Sequence, residues 1–164
     1  MRERVELLGD VFDFEAWDAR AVYFHDPAGN IVELIAHCGL DEGGRSGEFA
    51  PEELAGFSEL GIVGDPPDLA RRLATVGVAL WDGTIDEPGG LAFAGEQGRT
   101  LILAPPGRGW LPTSRPAAPH PLTATLAGGR DPTDLVTLCY LLDPAAKDGE
   151  KGAGTAPSNT LLLG

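Results

Sequence analysis

The sequence predicts an α+β fold of paired βαβββ modules. Three observations predict it. A strand-turn-strand segment recurs along the chain, a single well-punctuated helix lies between two strands, and turn formers are abundant. Glycine (23) and proline (14) supply roughly 23% of the 164 residues against about 12% in average proteins. That excess implies short elements joined by turns. The apolar share of 43% is that of a globular chain, and with 7% aromatic residues its core is expected to be aliphatic.

The recurrence has a fixed offset of 69. Ala21-Val-Tyr-Phe24, a turn and Ile31-Val-Glu-Leu34 return as Gly90-Leu-Ala-Phe93, a turn and Thr100-Leu-Ile-Leu103, which sets Phe24 over Phe93 and Gly29 over Gly98. Each copy reads as a hairpin. In the first, Pro27 presets φ and Gly29 can take the left-handed conformation that closes the turn; Gly95 to Arg99 does the same less tightly in the second.

Ahead of the second hairpin, Ser58 to Val63 reads as a strand. Asp65 is the expected N-cap of a helix, Pro66 falls in its first turn, and Gly77 ends it. Leu69, Leu73 and Val76 recur at helical spacing and form its apolar face. A strand over Ala79 to Asp82 follows, giving the order β-α-β-β-β for 58–104. Counting back by 69 places the matching first strand before Met1. Residues 1–38 are therefore expected to form an incomplete first module, with Met1 to Leu8 as the last turns of its helix.

Residues 39–57, rich in glycine and acid, read as a linker, and 58–127 as the second module with an extra C-terminal strand. Pro105 to Pro119 is expected to be extended or looped, and His120 to Leu126 to form an edge strand. Residues 128–164 read as an extension, partly disordered. In it Asp131-Pro132 resembles a helix start, with Leu135, Leu138, Cys139 and Leu142 on one face, and Lys147 to Asn159 has the composition of a disordered tail.

Phe24-His-Asp-Pro-Ala-Gly-Asn-Ile-Val-Glu-Leu-Ile35 resembles the strand-turn-strand signature of the vicinal oxygen chelate superfamily, the glyoxalase, bleomycin-resistance and dioxygenase-like proteins. The likeness covers about residues 1–127, with the N-terminal module incomplete. It implies that the paired modules form a curled mixed sheet with helices on the outer face and a concave face holding a divalent metal, with ligands from the first and fourth strands of each module. Glu33 matches the fourth-strand ligand of module one and Glu59 the first-strand position of module two. Ile102, at the other fourth-strand position, cannot bind a metal. The resemblance thus carries over at most two of four ligands.

Strand alternation puts Ile31, Glu33, Ile35 and His37 on one face and the apolar Val32, Leu34 and Ala36 on the other, which should pack against helices. A carboxylate buried at 33 must be paired, hydrated or coordinated. Arg99 and Arg20 are its candidate partners, and a metal is the alternative. His37 lies roughly 13 Å further along the strand, too far to share a metal with Glu33. Glu59 reads either as a plain polar strand residue or as a ligand. His25 and His120 read as exposed. Trp81 and Trp110, with His37, are the candidates for lining a cleft, although core packing explains Trp17, Trp81 and Trp110 as well.

Twelve basic and 25 acidic side chains leave a formal charge of −13, which disfavours nucleic acid and anionic membranes as partners. Met1 to Glu6 lacks the apolar stretch of a signal peptide, and Cys38 and Cys139 have no CxxC spacing; a cytoplasmic protein with two free thiols is expected. There is no HExxH, GxxxxGK[ST] or GxSxG motif. Two functions fit. One is a glyoxalase-like protein with a degenerate metal site that binds a small molecule, for which an acidic surface suits a cationic ligand. The other is an active divalent-metal-dependent lyase, isomerase or dioxygenase, completed by a partner chain in a homodimer or by residues upstream of Met1. Whether the chain is an enzyme stays open between them.

Overall fold

The computed structural model describes residues 5–40, 50–120, 122–127, 135–140 and 161–163. They form a small α+β fold with one α-helix and several sheets. The first sheet is an antiparallel meander of β1 (Phe12–Phe14), β2 (Ala19–His25) and β3 (Ile31–His37), in that spatial order. Its hairpin turn is built by Asp26. That carboxylate accepts the Ala28 and Asn30 backbone N–H groups at 2.9 and 2.8 Å and the Asn30 side-chain amide at 2.8 Å, while Gly29 takes φ +82°. The bonds, the Asn30 amide foremost, hold the Asp26 carboxyl below its ordinary range.

The second sheet contains β4 (Glu59–Val63), β5 (Leu80–Gly83), β6 (Ala92–Glu96) and β7 (Arg99–Ala104), with helix α1 (Pro66–Ala74) between β4 and β5. The spatial order is β4-β7-β6-β5, with β4 parallel to β7 and the remaining pairs antiparallel. A parallel pair needs a long crossover, and α1 lies within it. Asp65 caps the helix, accepting the Asp68 N–H at 3.2 Å, and Gly77 turns the chain out at φ +83°. Leu69 and Leu73 bury against Ile62, Ala92, Ala94, Leu101 and Leu103, which is the aliphatic core the composition predicts. Val76 lies beyond the helix end and is exposed.

The opposite face of this sheet carries Val63 and Ala104, covered by Ala117 and Trp110. Trp110 belongs to a small hairpin, β8 (Gly109–Trp110) and β9 (Arg115–Pro116), within the segment expected to be looped. Its indole lies over Gly61: a Cβ there would come within 2.8 Å of Cη2 and 3.2 Å of Cζ2. Gly61→Ala is therefore expected to displace the ring and cost about 1–3 kcal/mol, as overpacking does. Urea unfolding, with tryptophan fluorescence to follow the ring, checks it.

Several expectations are corrected. Val5 to Leu8 is no helix end: Leu7 bridges Phe24 and the Leu8 N–H donates to the Tyr23 carbonyl at 2.8 Å. Among the described residues no helix covers the first sheet; the outer helix layer is α1 alone, on β6 and β7, and Ala36 is exposed. The second hairpin is the tighter one, closing over Gln97 and Gly98. Its pairing sets Phe93 against Ile102, whereas the 69-residue offset would set Ala92 there, as Tyr23 faces Glu33. A one-residue difference in register turns a whole strand over, so Phe24 and Phe93 occupy opposite faces.

In the C-terminal region, β10 (Leu122–Ala127) lies between β11 (Leu135–Tyr140) and β12 (Leu161–Leu163), so the strand near His120 is central to its sheet. Leu135 to Tyr140 is strand where helix is expected. The six residues contain β-branched Val136 and Thr137 and an aromatic Tyr140, and β10 supplies a pairing edge that outweighs the 3.6-residue spacing. The helix start at Asp131-Pro132, Leu142, the tail from Lys147 to Asn159 and residues 41–49 of the linker lie outside the described residues. No helix among the described residues is long and apolar enough to cross a membrane.

Candidate functional site

Directly paired residues share a face of a sheet, so the registers locate the side chains. In the first sheet Tyr23 pairs with Glu33, Ala19 with His37 and Ala21 with both Phe12 and Ile35. Ala19, Ala21, Tyr23 and His37 are buried, which marks this as the inward face. In the second sheet Glu59 pairs with Thr100 and Gly61 with Ile102, on the face away from α1. The two inward faces meet at the two carboxyl groups that the sequence singles out.

The Tyr23 hydroxyl donates to Glu33 Oε1 at 2.5 Å, and Glu59, when protonated, donates to Glu33 from the other sheet. Glu33 is thus the acceptor at the centre of a three-group chain. Burial pushes the Glu59 carboxyl up to about 7, with the charge of Glu33 and the bond to it adding to the rise. Burial also raises Glu33, and the bonds from Tyr23 and Glu59 offset part of the rise. Tyr23 is raised chiefly by desolvation, then by its bond to Glu33 and by the charges of Glu33 and Glu59. With Glu59 protonated and Glu33 ionised, the pair holds one proton between the two side chains. One carboxyl oxygen, Glu59 Oε1, is buried without a partner among the described residues.

Neither arginine proposed for Glu33 reaches it. Arg20 pairs with Asp13 at 2.8 Å, and Arg99 with Glu96 at 3.5 Å, both at the surface. A tyrosine hydroxyl and a protonated carboxyl stabilise the charge instead. His37, 7% exposed, turns to Ser58: its Nε2 lies 2.9 Å from Ser58 Oγ, and Nδ1 is buried without a partner. Leaving a lone pair unmet costs less than stranding a buried N–H. The ring proton is accordingly on Nε2 and donates to the serine.

Trp81 packs on Trp17 (centroids 5.3 Å apart), and Trp17 in turn meets Phe93 edge-on at 4.6 Å and Phe14 at 5.9 Å. Trp110 covers Gly61, two positions along β4 from Glu59. The tryptophans thus belong to the packing of the inward face. His25 is exposed, close to Arg115, which also donates to the Gly29 carbonyl at 2.7 Å. Cys38 is a free, exposed thiol. A depression lined by Leu40, Glu96, Gln97, Gly98 and Arg99 lies over the β6–β7 turn, and neither Glu33 nor Glu59 lines it.

The donor set does not fit a catalytic metal centre. Such a centre takes four to six ligands, most of them fixed by protein. Here two carboxylates meet, Ile102 is apolar, His37 is committed to Ser58, and no group of three or more His, Cys, Asp or Glu among the described residues could hold an ion. The pair can instead exchange its shared proton for one cationic group. Tyr23 and Ser58 are not among the residues singled out from the sequence. The signal for Tyr23 was available, because closing a hairpin over Asp26 to Asn30 sets it opposite Glu33. Ser58 touches His37 across 21 positions, and no local pattern announces that contact.

Comparison with family models and with curated protein sequences finds no match for this chain.

Proposed function

We propose that this protein is a non-catalytic relative of the vicinal oxygen chelate proteins, in which two βαβββ-type modules, the first of them incomplete, face one another and bind a small cationic molecule at a degenerate metal site. The observation that carries this reading is the meeting of Glu33 and Glu59, one from each sheet, at the two positions where the family resemblance expects ligands. The strand and helix order of β4 to β7 and the parallel β4–β7 pair support the module assignment. An ammonium or guanidinium entering the pair would replace the shared proton and meet the unpartnered Glu59 Oε1.

Proton and ligand compete for the same oxygens. Affinity is therefore expected to rise up to about tenfold per pH unit toward pH 7 and to level off above it, following the Glu59 carboxyl at about 7. The test uses metal-free bleomycin, a cationic glycopeptide, as probe and tryptophan fluorescence as readout, with Trp110 covering Gly61 on the same strand as Glu59. Binding that strengthens from pH 5.5 to 7.5 and is lost in Glu33→Gln supports the reading. One zinc, nickel, manganese or iron per chain, lost in Glu33→Ala, would instead favour the metalloenzyme, with its missing ligands supplied by another chain or another segment.

A further inference from the structure

We infer that His37 is a positioning residue for the carboxyl pair: its hydrogen bond to Ser58 sets where β4 begins relative to β3, and so brings Glu59 to Glu33. Ser58 is held from two sides. Its carbonyl accepts the Thr100 N–H at 2.8 Å, which ties it to β7, and its hydroxyl meets His37 Nε2 at 2.9 Å, which ties it to β3. Glu59 is the next residue, and its side chain crosses to the first sheet. Two anchors on the preceding residue leave the glutamate little freedom in where it starts.

The imidazole itself is fixed. It is 7% exposed, and Gly98 of the β6–β7 turn lies beside it, where an added Cβ would stand 3.9 Å from His37 Cδ2 and 2.8 Å from Leu40 Cδ1. Its Nδ1 has no partner among the described residues, where the one hydrogen bond of the ring is that to Ser58. Burying a ring with one nitrogen unmet is a cost. It is met at the position that aligns β3 with β4.

This inference rests on the carboxyl pair being the centre of the proposed site, and its test does not depend on the ligand. A double-mutant cycle of Glu33→Ala and Glu59→Ala, read by urea unfolding at pH 6, measures the coupling between the two carboxyls. His37→Leu, which fills the space without donating, is expected to reduce that coupling by at least half. His37→Gln, whose amide can donate to Ser58 Oγ, should retain it, a rescue that loss of core packing alone does not predict. An unchanged coupling in His37→Leu overturns the inference, and so does a wild-type chain with no coupling to lose. If His37→Leu does not fold, Ser58→Ala removes the bond from the accepting side, and an unchanged coupling there overturns it equally. Bleomycin failing to bind a wild-type chain whose coupling is intact would remove the proposed ligand and leave the role of His37 standing.

Discussion

Glu59→Gln is expected to stabilise the protein at pH 8 and to change its stability little at pH 4.5. The Glu59 carboxyl stands near 7 in the folded chain against an ordinary 4.5. Between these values the folded state keeps a proton that the unfolded state has released, so stability falls as pH rises through that window. The wild-type contribution is fully present below about 4.5 and is lost by about 7. A rise of this size corresponds to roughly 3–4 kcal/mol, since each pKa unit is worth about 1.4 kcal/mol. An amide at 59 still donates to Glu33 but carries no charge at any pH, which removes the penalty. For a chain of this length the gain at pH 8 corresponds to about 5 °C or more in Tm. Melting curves of wild type and Glu59→Gln across pH 4.5 to 8 check it, and parallel curves at every pH would mean that Glu59 titrates as an ordinary surface acid.

The same site shows what the sequence makes legible. Alternation along Ile31 to His37 places Glu33 inward because a strand has a strict period of two, and the burial of Tyr23 and His37 on that face agrees. Asp65 as cap, Pro66 in the first turn and Gly77 beyond the end are local chemistry, and the helix begins where they put it. The partners of Glu33 are a different matter. An arginine is the natural counter-charge to look for, yet Tyr23 is supplied by register and Glu59 by the approach of a second sheet. Tyr23 follows once the hairpin over Asp26 to Asn30 is closed, whereas nothing near position 33 announces Glu59. The C-terminal strands fail for a related reason. Leu135, Leu138 and Cys139 fit a helical spacing, but six residues can satisfy either period, and the neighbouring β10 decides.

Register also limits the internal echo. A shift of one residue between the two hairpins leaves Glu33 and Ile102 facing inward in both, while Phe24 and Phe93 part to opposite faces. The second hairpin closes over two residues where the first uses five, and that difference in the turn is enough to produce the shift. An apolar residue at 102 then has a physical role of its own. Paired with Phe93, it places an aliphatic side chain beside the ring that Trp17 meets.

Trp17→Ala is expected to be the most damaging single change at the junction of the two sheets. Trp17 follows β1 in a single 3-10 turn that ends at Asp18, whose left-handed φ of 46° redirects the chain into β2. From there the indole reaches Trp81 and Phe93 of the second sheet, and its Nε1 donates to Asp82 Oδ2 at 2.6 Å. Its carbonyl accepts from Gln97 Nε2 at 2.5 Å, which adds a tie that the substitution leaves in place. Truncation removes the ring and the bond to Asp82 together. Large-to-small aromatic changes in cores cost about 3–5 kcal/mol; because Trp17 is only partly buried, the lower part of that range, about 3 kcal/mol, applies. Trp17→Phe retains much of the packing and loses the N–H, so it should cost about 1 kcal/mol. In a chain of 164 residues the alanine variant should melt roughly 6–12 °C lower. Because Glu33 and Glu59 depend on the same sheet-to-sheet approach, the pH dependence attributed to Glu59 should flatten in Trp17→Ala and persist in Trp17→Phe. Equal pH dependence in both variants would mean that the carboxyl pair is held in place without the aromatic junction.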